Sequence, residues 1–180
     1  LGTGTLIAPQ YILTAAHVVT ETIDGTTYKY LPEFIQFKTA NYVYGVTNVY
    51  VHHTFNKFQD VTEGQYDTAL LKLDTPITNT TPAVMNTNTP VVGSNLTIVG
   101  FALWGTGSIG YFTPDAFPLE GQVAWGNTTI DEVTDTFIKW NFDNTQPAES
   151  NTVQGDSGGP AFITIGEATY LAGITSGGGP

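Results

Sequence analysis

Cysteine is absent from this chain, and so is arginine. Without thiols there can be no disulfides, no thiolate metal sites and no cysteine nucleophile, and an exported form must hold its fold by packing alone. Without arginine, the five lysines (Lys29, Lys38, Lys57, Lys72 and Lys139) stand against 16 acidic residues, for a net charge of -11. A phosphate backbone needs a basic face that this composition cannot build, so no nucleic-acid partner is expected. The acidity suits solubility and low self-association, with tuning for cationic substrates as the alternative. Charged residues are scarce overall at 12%, about half the usual share. No apolar run approaches the roughly 20 residues of a spanning helix, so no membrane span is expected, and no basic-then-apolar leader opens the chain. The chain runs from Leu1 to Gly177-Gly178-Gly179-Pro180, which reads as a processed or trimmed piece.

Thr, Asn and Gly are plentiful instead, and the apolar residues come in short runs rich in Val, Ile, Tyr and Phe. That pattern predicts strands rather than helices. Thr3 to Ala8 and Tyr11 to Thr14 read as a hairpin turned at Pro9-Gln10, and Thr14-Ala15-Ala16-His17 as the start of a single helical turn. Further strands are expected at 34–38, 41–51, 68–73, 95–101, 119–125, 136–142, 161–165 and 168–176. In Ala69 to Leu73 the alternation puts Ala69, Leu71 and Leu73 on one face. Residues 75–90, with three prolines and little periodicity, are the linker candidate. About ten short strands without a long helix or a repeat predict an all-β protein, most simply two packed barrels.

Several polar groups have plain structural readings. His52 and His53 at a strand end would point to opposite faces and cannot easily chelate one metal. Gly105-Thr106-Gly107-Ser108-Ile109-Gly110 has the spacing of a dinucleotide fingerprint, but Tyr111-Phe112-Thr113-Pro114 opens no helix behind it, so a surface loop is expected. Asp131, Glu132 and Asp135 read as a solvated loop with too few oxygens for calcium. No metal or other cofactor is called for. Three sequons, at Asn79, Asn95 and Asn127, would permit glycosylation in a eukaryotic secretory route.

Three groups resist such readings together. Gly155-Asp156-Ser157-Gly158-Gly159-Pro160 is a glycine-packed polar turn leading into an apolar strand, where small neighbours leave the Ser157 hydroxyl open to a carbonyl and let backbone N–H groups converge. A serine hydroxyl is inert unless a base takes its proton, and the base needs an orienting partner. His17, in a buried-looking segment, is either a satisfied core residue or that base. Asp67, where polar loop becomes buried strand, is either a turn former or the orienter, because a carboxylate there requires hydrogen bonds.

In the order His17, Asp67, Ser157, the segments Thr14-Ala15-Ala16-His17, Asp67-Thr68-Ala69-Leu70-Leu71-Lys72-Leu73 and Gly155 to Pro160 resemble the three signature segments of the chymotrypsin and trypsin family of serine endopeptidases. Gly173-Ile174-Thr175-Ser176-Gly177-Gly178 is similar to that family's substrate-binding strand. The resemblance implies an all-β fold of two packed antiparallel Greek-key barrels, residues 1–85 and 86–180, with the active site in the cleft between them. It implies Ser157 as nucleophile, His17 as general base and acid, Asp67 as orienter, and an oxyanion hole from the N–H groups of Gly155 and Ser157; that family's triad is the reference template for these roles. His17 is then expected within about 3 Å of both the Ser157 hydroxyl and an Asp67 oxygen, or somewhat looser without substrate.

By the same resemblance, substrate would be bound by Asn151, Thr152, Gln154, Ser176, Gly177 and Gly178. Asn151 stands six residues before the nucleophile, where basic-specific members carry an aspartate. A neutral amide there disfavours arginine or lysine before the cut and leans to an apolar or polar residue. Asp156 matches the carboxylate that pairs with a newly released N-terminal amine on activation, and the resemblance implies a strand before Leu1 and further strands and a helix after Pro180. Polypeptide substrates and protein protease inhibitors are the implied partners. A cysteine-free, bacterial-looking secreted or periplasmic enzyme is the expectation, with a catalytically silent binding module, or an esterase or acyl transferase using the same triad, as alternatives.

Overall fold

A computed structural model describes residues 1–55, 65–101, 105–106, 110–111, 123–143 and 149–178. Among the described residues helix is confined to two single 3-10 turns, Ala16–Val18 and Pro32–Phe34. The earlier strands are β1 (Thr5–Ala8), β2 (Tyr11–Thr14), β3 (Thr20–Ile23), β4 (Thr26–Lys29), β5 (Gln36–Lys38), β6 (Val43–Val51) and β7 (Ala69–Leu73). The later ones are β8 (Asn95–Gly100), β9 (Gly105–Thr106), β10 (Gly110–Tyr111), β11 (Ala124–Thr129), β12 (Glu132–Val133), β13 (Ile138–Lys139), β14 (Pro160–Ile165) and β15 (Ala168–Ile174).

Two antiparallel sheets organise most of these strands, in the orders β1-β2-β7-β6-β5 and β11-β8-β14-β15, and the rest pair as β3-β4, β9-β10 and β12-β13. Each of the two sheets curls over its own apolar cluster. Alternation along β7 buries Ala69, Leu71 and Leu73, which join Ile12, Val46, Val49 and Ile77. In the second sheet Leu96 and Ile98 of β8 meet Ala161 and Ile163 of β14, with Ile130 closing the cluster. The all-β architecture therefore holds. Residues 75–90 form no strand, but they do not hang free. Ile77 is buried in the first cluster, the Ala83 N–H donates to Leu6 O, and Val84 and Asn86 bracket Leu171 of β15 through its N–H and its carbonyl.

The structure departs from the sequence reading at several places. The β3–β4 hairpin was not expected. Its signal was Asp24-Gly25, both at positive φ (48° and 83°), in a two-residue turn that aligns Ile23 with Thr26, as such hairpins prefer. The His52 and His53 rings do not point to opposite faces. They lie past the end of β6 and stack at 4.7 Å, with Tyr66 stacked on His52 at 4.9 Å. The acidic segment is a hairpin and not a loop: β12 pairs with β13, Lys139 reaches Glu132 at 3.5 Å, and Asp131 accepts the Asn141 N–H. The strand expected over 136–142 shrinks to Ile138–Lys139 because 134–137 is a tight turn closed by Thr134 N–H to Phe137 O. The strand expected to end at Trp125 runs on to Thr129, and 119–122 lie outside the described residues. Gly105–Thr106 pairs with Gly110–Tyr111, so the two ends of the glycine-rich stretch are paired strands, and 107–109 lie outside the described residues.

Leu96 is fully buried. Leu96→Ala is expected to cost about 2–5 kcal/mol, read as a lower midpoint with unchanged slope in urea unfolding. An unchanged midpoint would contradict a packed second core.

Candidate active site

Strand pairing assembles the first half of the site. In the β2–β7 ladder Thr14 lies opposite Ala69, so the residues after Thr14 meet those before Ala69. The chain leaves β2 through Ala15 and Ala16, both fully buried, and turns once over Ala16–Val18. The turn is held by Val19 N–H to Ala16 O and by the Thr20 hydroxyl on the same carbonyl. It carries His17 onto the Asp67 carboxylate. Oδ1 accepts the His17 backbone N–H at 2.8 Å, and Oδ2 lies 2.6 Å from Nδ1.

A third donor comes from the other end of the chain. The Ser176 hydroxyl donates to Asp67 Oδ2 at 2.6 Å across 109 residues. With a side chain only 5% exposed, Asp67 depends on these donors to stay ionised. Burial pushes its carboxyl up, but the hydrogen bonds from the His17 ring, Ser176 and the His17 N–H, with the charge of His17, outweigh burial and hold it below the usual value of 3.8. Because Nδ1 faces the carboxylate, Nε2 is the ring nitrogen left for other work.

The turn before β14 comes to the same place. Gly155 and Gly158 adopt positive φ, 102° and 82°, which glycine takes without strain. Gly158 has a second reason to be glycine. A Cβ there would lie 2.8 Å from Ala15 N and closer still to Thr14 Oγ1 and Thr3 O. The residue after Ser157 is thus pressed against the backbone that leads to His17. Bonds from Gly158 N–H to Thr175 O (2.7 Å) and from Thr175 N–H to Gly159 O (2.8 Å) tie the turn to the segment after β15 that carries Ser176.

Among the described residues the Ser157 hydroxyl has no hydrogen bond, so the expected close approach to His17 is not made, while that between His17 and Asp67 is. Such contacts commonly tighten only around substrate. The Gly155 and Ser157 N–H groups also have no protein acceptor among the described residues. Asp156, between them, packs its carboxylate against Gly100 and accepts the Val153 N–H at 2.9 Å. Burial raises its carboxyl above the usual value, offset only in part by that N–H.

Of the expected substrate contacts, Asn151, Gln154, Gly177 and Gly178 are exposed and Thr152 is half-buried. Asn151 Oδ1 accepts the Trp140 indole N–H at 3.2 Å and the Thr152 N–H at 2.9 Å. Ser176, expected to touch substrate, has its hydroxyl committed to Asp67. No sequence spacing predicts that bond, nor the Trp140 contact. Next to Asp67, Gln65 and Tyr66 face the Thr134 to Lys139 hairpin across a cleft of about 360 Å³. Among the described residues no helix is long and apolar enough to cross a membrane, and no group of three or more His, Cys, Asp or Glu could hold a metal ion.

A family model described as Trypsin matches residues 1–180. The chain belongs to the trypsin family. It is a serine-type endopeptidase of that family, acting on polypeptides. Among solved structures it is similar to neuropsin, a serine protease expressed in the limbic system of mouse brain, at 19% identity and a TM-score of 0.66. That likeness covers 96% of this chain and 74% of that one and agrees with the two-barrel fold of the trypsin family. No curated protein sequence matches the chain.

The two aspartates make opposite predictions for stability against pH. Asp67, lowered from 3.8 in the fold, is protonated first in the unfolded chain as pH falls. Its stabilisation is complete above 3.8 and is lost as pH drops through the folded value. Asp156, raised from 3.8, is protonated first in the folded chain, so stability declines as pH rises from 3.8 through the folded value. In urea unfolding between about pH 3 and pH 7, Asp67→Asn should flatten the acid side, and Asp156→Asn should gain on the parent as pH rises. A gain that shrinks with rising pH would contradict the account of Asp156.

Proposed function

We propose that this trypsin-family chain cleaves peptide bonds with Ser157 as nucleophile, His17 as general base and then acid, and Asp67 as the group that orients the imidazole. The observation that carries the reading is the Asp67 carboxylate, which takes the His17 ring at 2.6 Å and the His17 N–H at 2.8 Å. This fixes the proton on Nδ1 and leaves Nε2 as the base. As Ser157 Oγ attacks the scissile carbonyl, Nε2 takes its proton, and the imidazolium is stabilised by a carboxylate that three donors keep ionised. The carbonyl oxygen becomes an oxyanion facing the Gly155 and Ser157 N–H groups, each worth roughly 3 to 4 kcal/mol in such a site. Collapse expels the amine, protonated by His17, and leaves an ester on Ser157. Water, deprotonated by His17, attacks that ester and restores the serine.

Substrate would lie along Ser176, Gly177 and Gly178, with its side chain before the cut directed towards Asn151, Thr152 and Gln154. Trp140 and the Thr152 N–H both donate to Asn151 Oδ1, which leaves the amide NH2 as the free end of that side chain. A donor there opposes lysine and arginine and suits neutral side chains. Residues 1–85 and 86–180 are the proposed barrels, with protein protease inhibitors as further partners, secretion or periplasmic export as the route, and Asp156 as the activation-related carboxylate.

Profiling a peptide library with the wild type and Ser157→Ala tests both parts. The variant is expected to lose about 10⁶-fold in kcat, and cleavage is expected after neutral residues. Undiminished turnover by Ser157→Ala would overturn the mechanism, and a preference for lysine or arginine would overturn the pocket.

A further inference from the structure

One residue of the N-terminal stretch uses all its polar atoms around the nucleophile turn. The Thr3 N–H donates to Ser157 O at 2.8 Å, and its hydroxyl donates to Gly155 O at 3.1 Å. The same hydroxyl accepts the Phe101 N–H at 3.1 Å, and the Thr3 carbonyl accepts the Thr14 hydroxyl at 2.8 Å. The γ-methyl faces Gly159, where a Cβ would meet it at 3.4 Å. Thr3 therefore joins three parts of the site: the strand that leads to His17, the end of β8, and the turn that carries Ser157.

We propose that Thr3 is a positioning residue that anchors the backbone beside the proposed oxyanion donors, its hydroxyl through the Gly155 carbonyl and its N–H through the Ser157 carbonyl. The physical need lies in Gly155. A glycine at φ 102° has no side chain to oppose rotation of its peptides, and its N–H has no protein acceptor among the described residues. The Gly155 N–H belongs to the peptide shared with Gln154; the peptide on its other side, Gly155–Asp156, is anchored by the Asp156 N–H on Val153 O and by the Thr3 hydroxyl on the Gly155 carbonyl, which limits the rotation open to Gly155. The Thr3 N–H holds the Ser157 carbonyl, in the Ser157–Gly158 peptide, so each proposed oxyanion donor adjoins, across one Cα, a peptide that Thr3 anchors. The hydroxyl is itself held by the Phe101 N–H, which leaves its proton directed at Gly155. A misplacement of about 1 Å at such a site can cost on the order of 10²-fold in rate.

This inference rests on the oxyanion reading above, and the test separates the two. Thr3→Val keeps the shape and the backbone N–H while removing the hydroxyl, and Thr3→Ser keeps the hydroxyl. With a peptide substrate, Thr3→Val is expected to lose about 10- to 100-fold in kcat with KM within about twofold. Its affinity for a peptidyl boronate, which places a tetrahedral oxygen where the oxyanion forms, should fall by a similar factor, while Thr3→Ser should stay close to the wild type in both. If Thr3→Val does not fold, Thr3→Ser against Thr3→Ala makes the same comparison, since those two differ only in the hydroxyl. Equal kcat and equal boronate affinity with and without the hydroxyl would overturn the role of Thr3 and leave the triad standing. A wild type that neither cleaves peptides nor binds the boronate would remove the oxyanion reading itself.

Discussion

A carboxylate that has been withdrawn from water must be given donors or give up its charge, and Asp67 is the clearest case in this molecule. It takes one donor from the His17 backbone, one from the His17 ring and one from Ser176. Those donors come from opposite ends of the chain. Ser176 follows β15 in the second sheet, while His17 follows β2 in the first. The same requirement that keeps Asp67 ionised therefore binds the two halves together and holds the imidazole in one tautomer. Under the proposed mechanism, stability and chemistry are coupled through this single side chain.

Glycines do the complementary work around Ser157. Gly158 lets the turn close against Thr14 and Ala15, and Gly100 leaves room for the Asp156 carboxylate. A β-carbon at either place would separate surfaces that now touch. The turn is then fixed by backbone bonds to Thr175 and by the contacts of Thr3. Asp156 remains the least comfortable group of the turn. It is a carboxyl made more basic by burial, with one N–H from its own loop.

Much of this was legible from residue order. Alternation in 69–73 gave away the buried face of β7, and the Ala15-Ala16-His17 run foretold a tight turn, because both depend on neighbours in sequence. The three signature segments marked His17, Asp67 and Ser157 by resemblance. What could not be read were contacts set by distant pairing. Ser176 on Asp67, Trp140 on Asn151 and Thr3 on Gly155 depend on which strands lie side by side, and a lone hydroxyl or indole does not announce its partner. The β3–β4 hairpin is a different lapse, since Asp24-Gly25 carried a local signal. The stacked His52 and His53 show the limit of strand alternation, which ends where the strand does.

The account rests on Ser157, His17, Asp67 and the Gly155 and Ser157 N–H groups acting as one site. A crystal structure of the enzyme inactivated by a serine-directed phosphonate examines all of them together. The account predicts phosphorus bonded to Ser157 Oγ, the phosphoryl oxygen within about 3 Å of both N–H groups, and His17 Nε2 turned to the adduct with Nδ1 still on Asp67. An adduct on another residue, or a phosphoryl oxygen turned away from Gly155 and Ser157 into solvent, would contradict it.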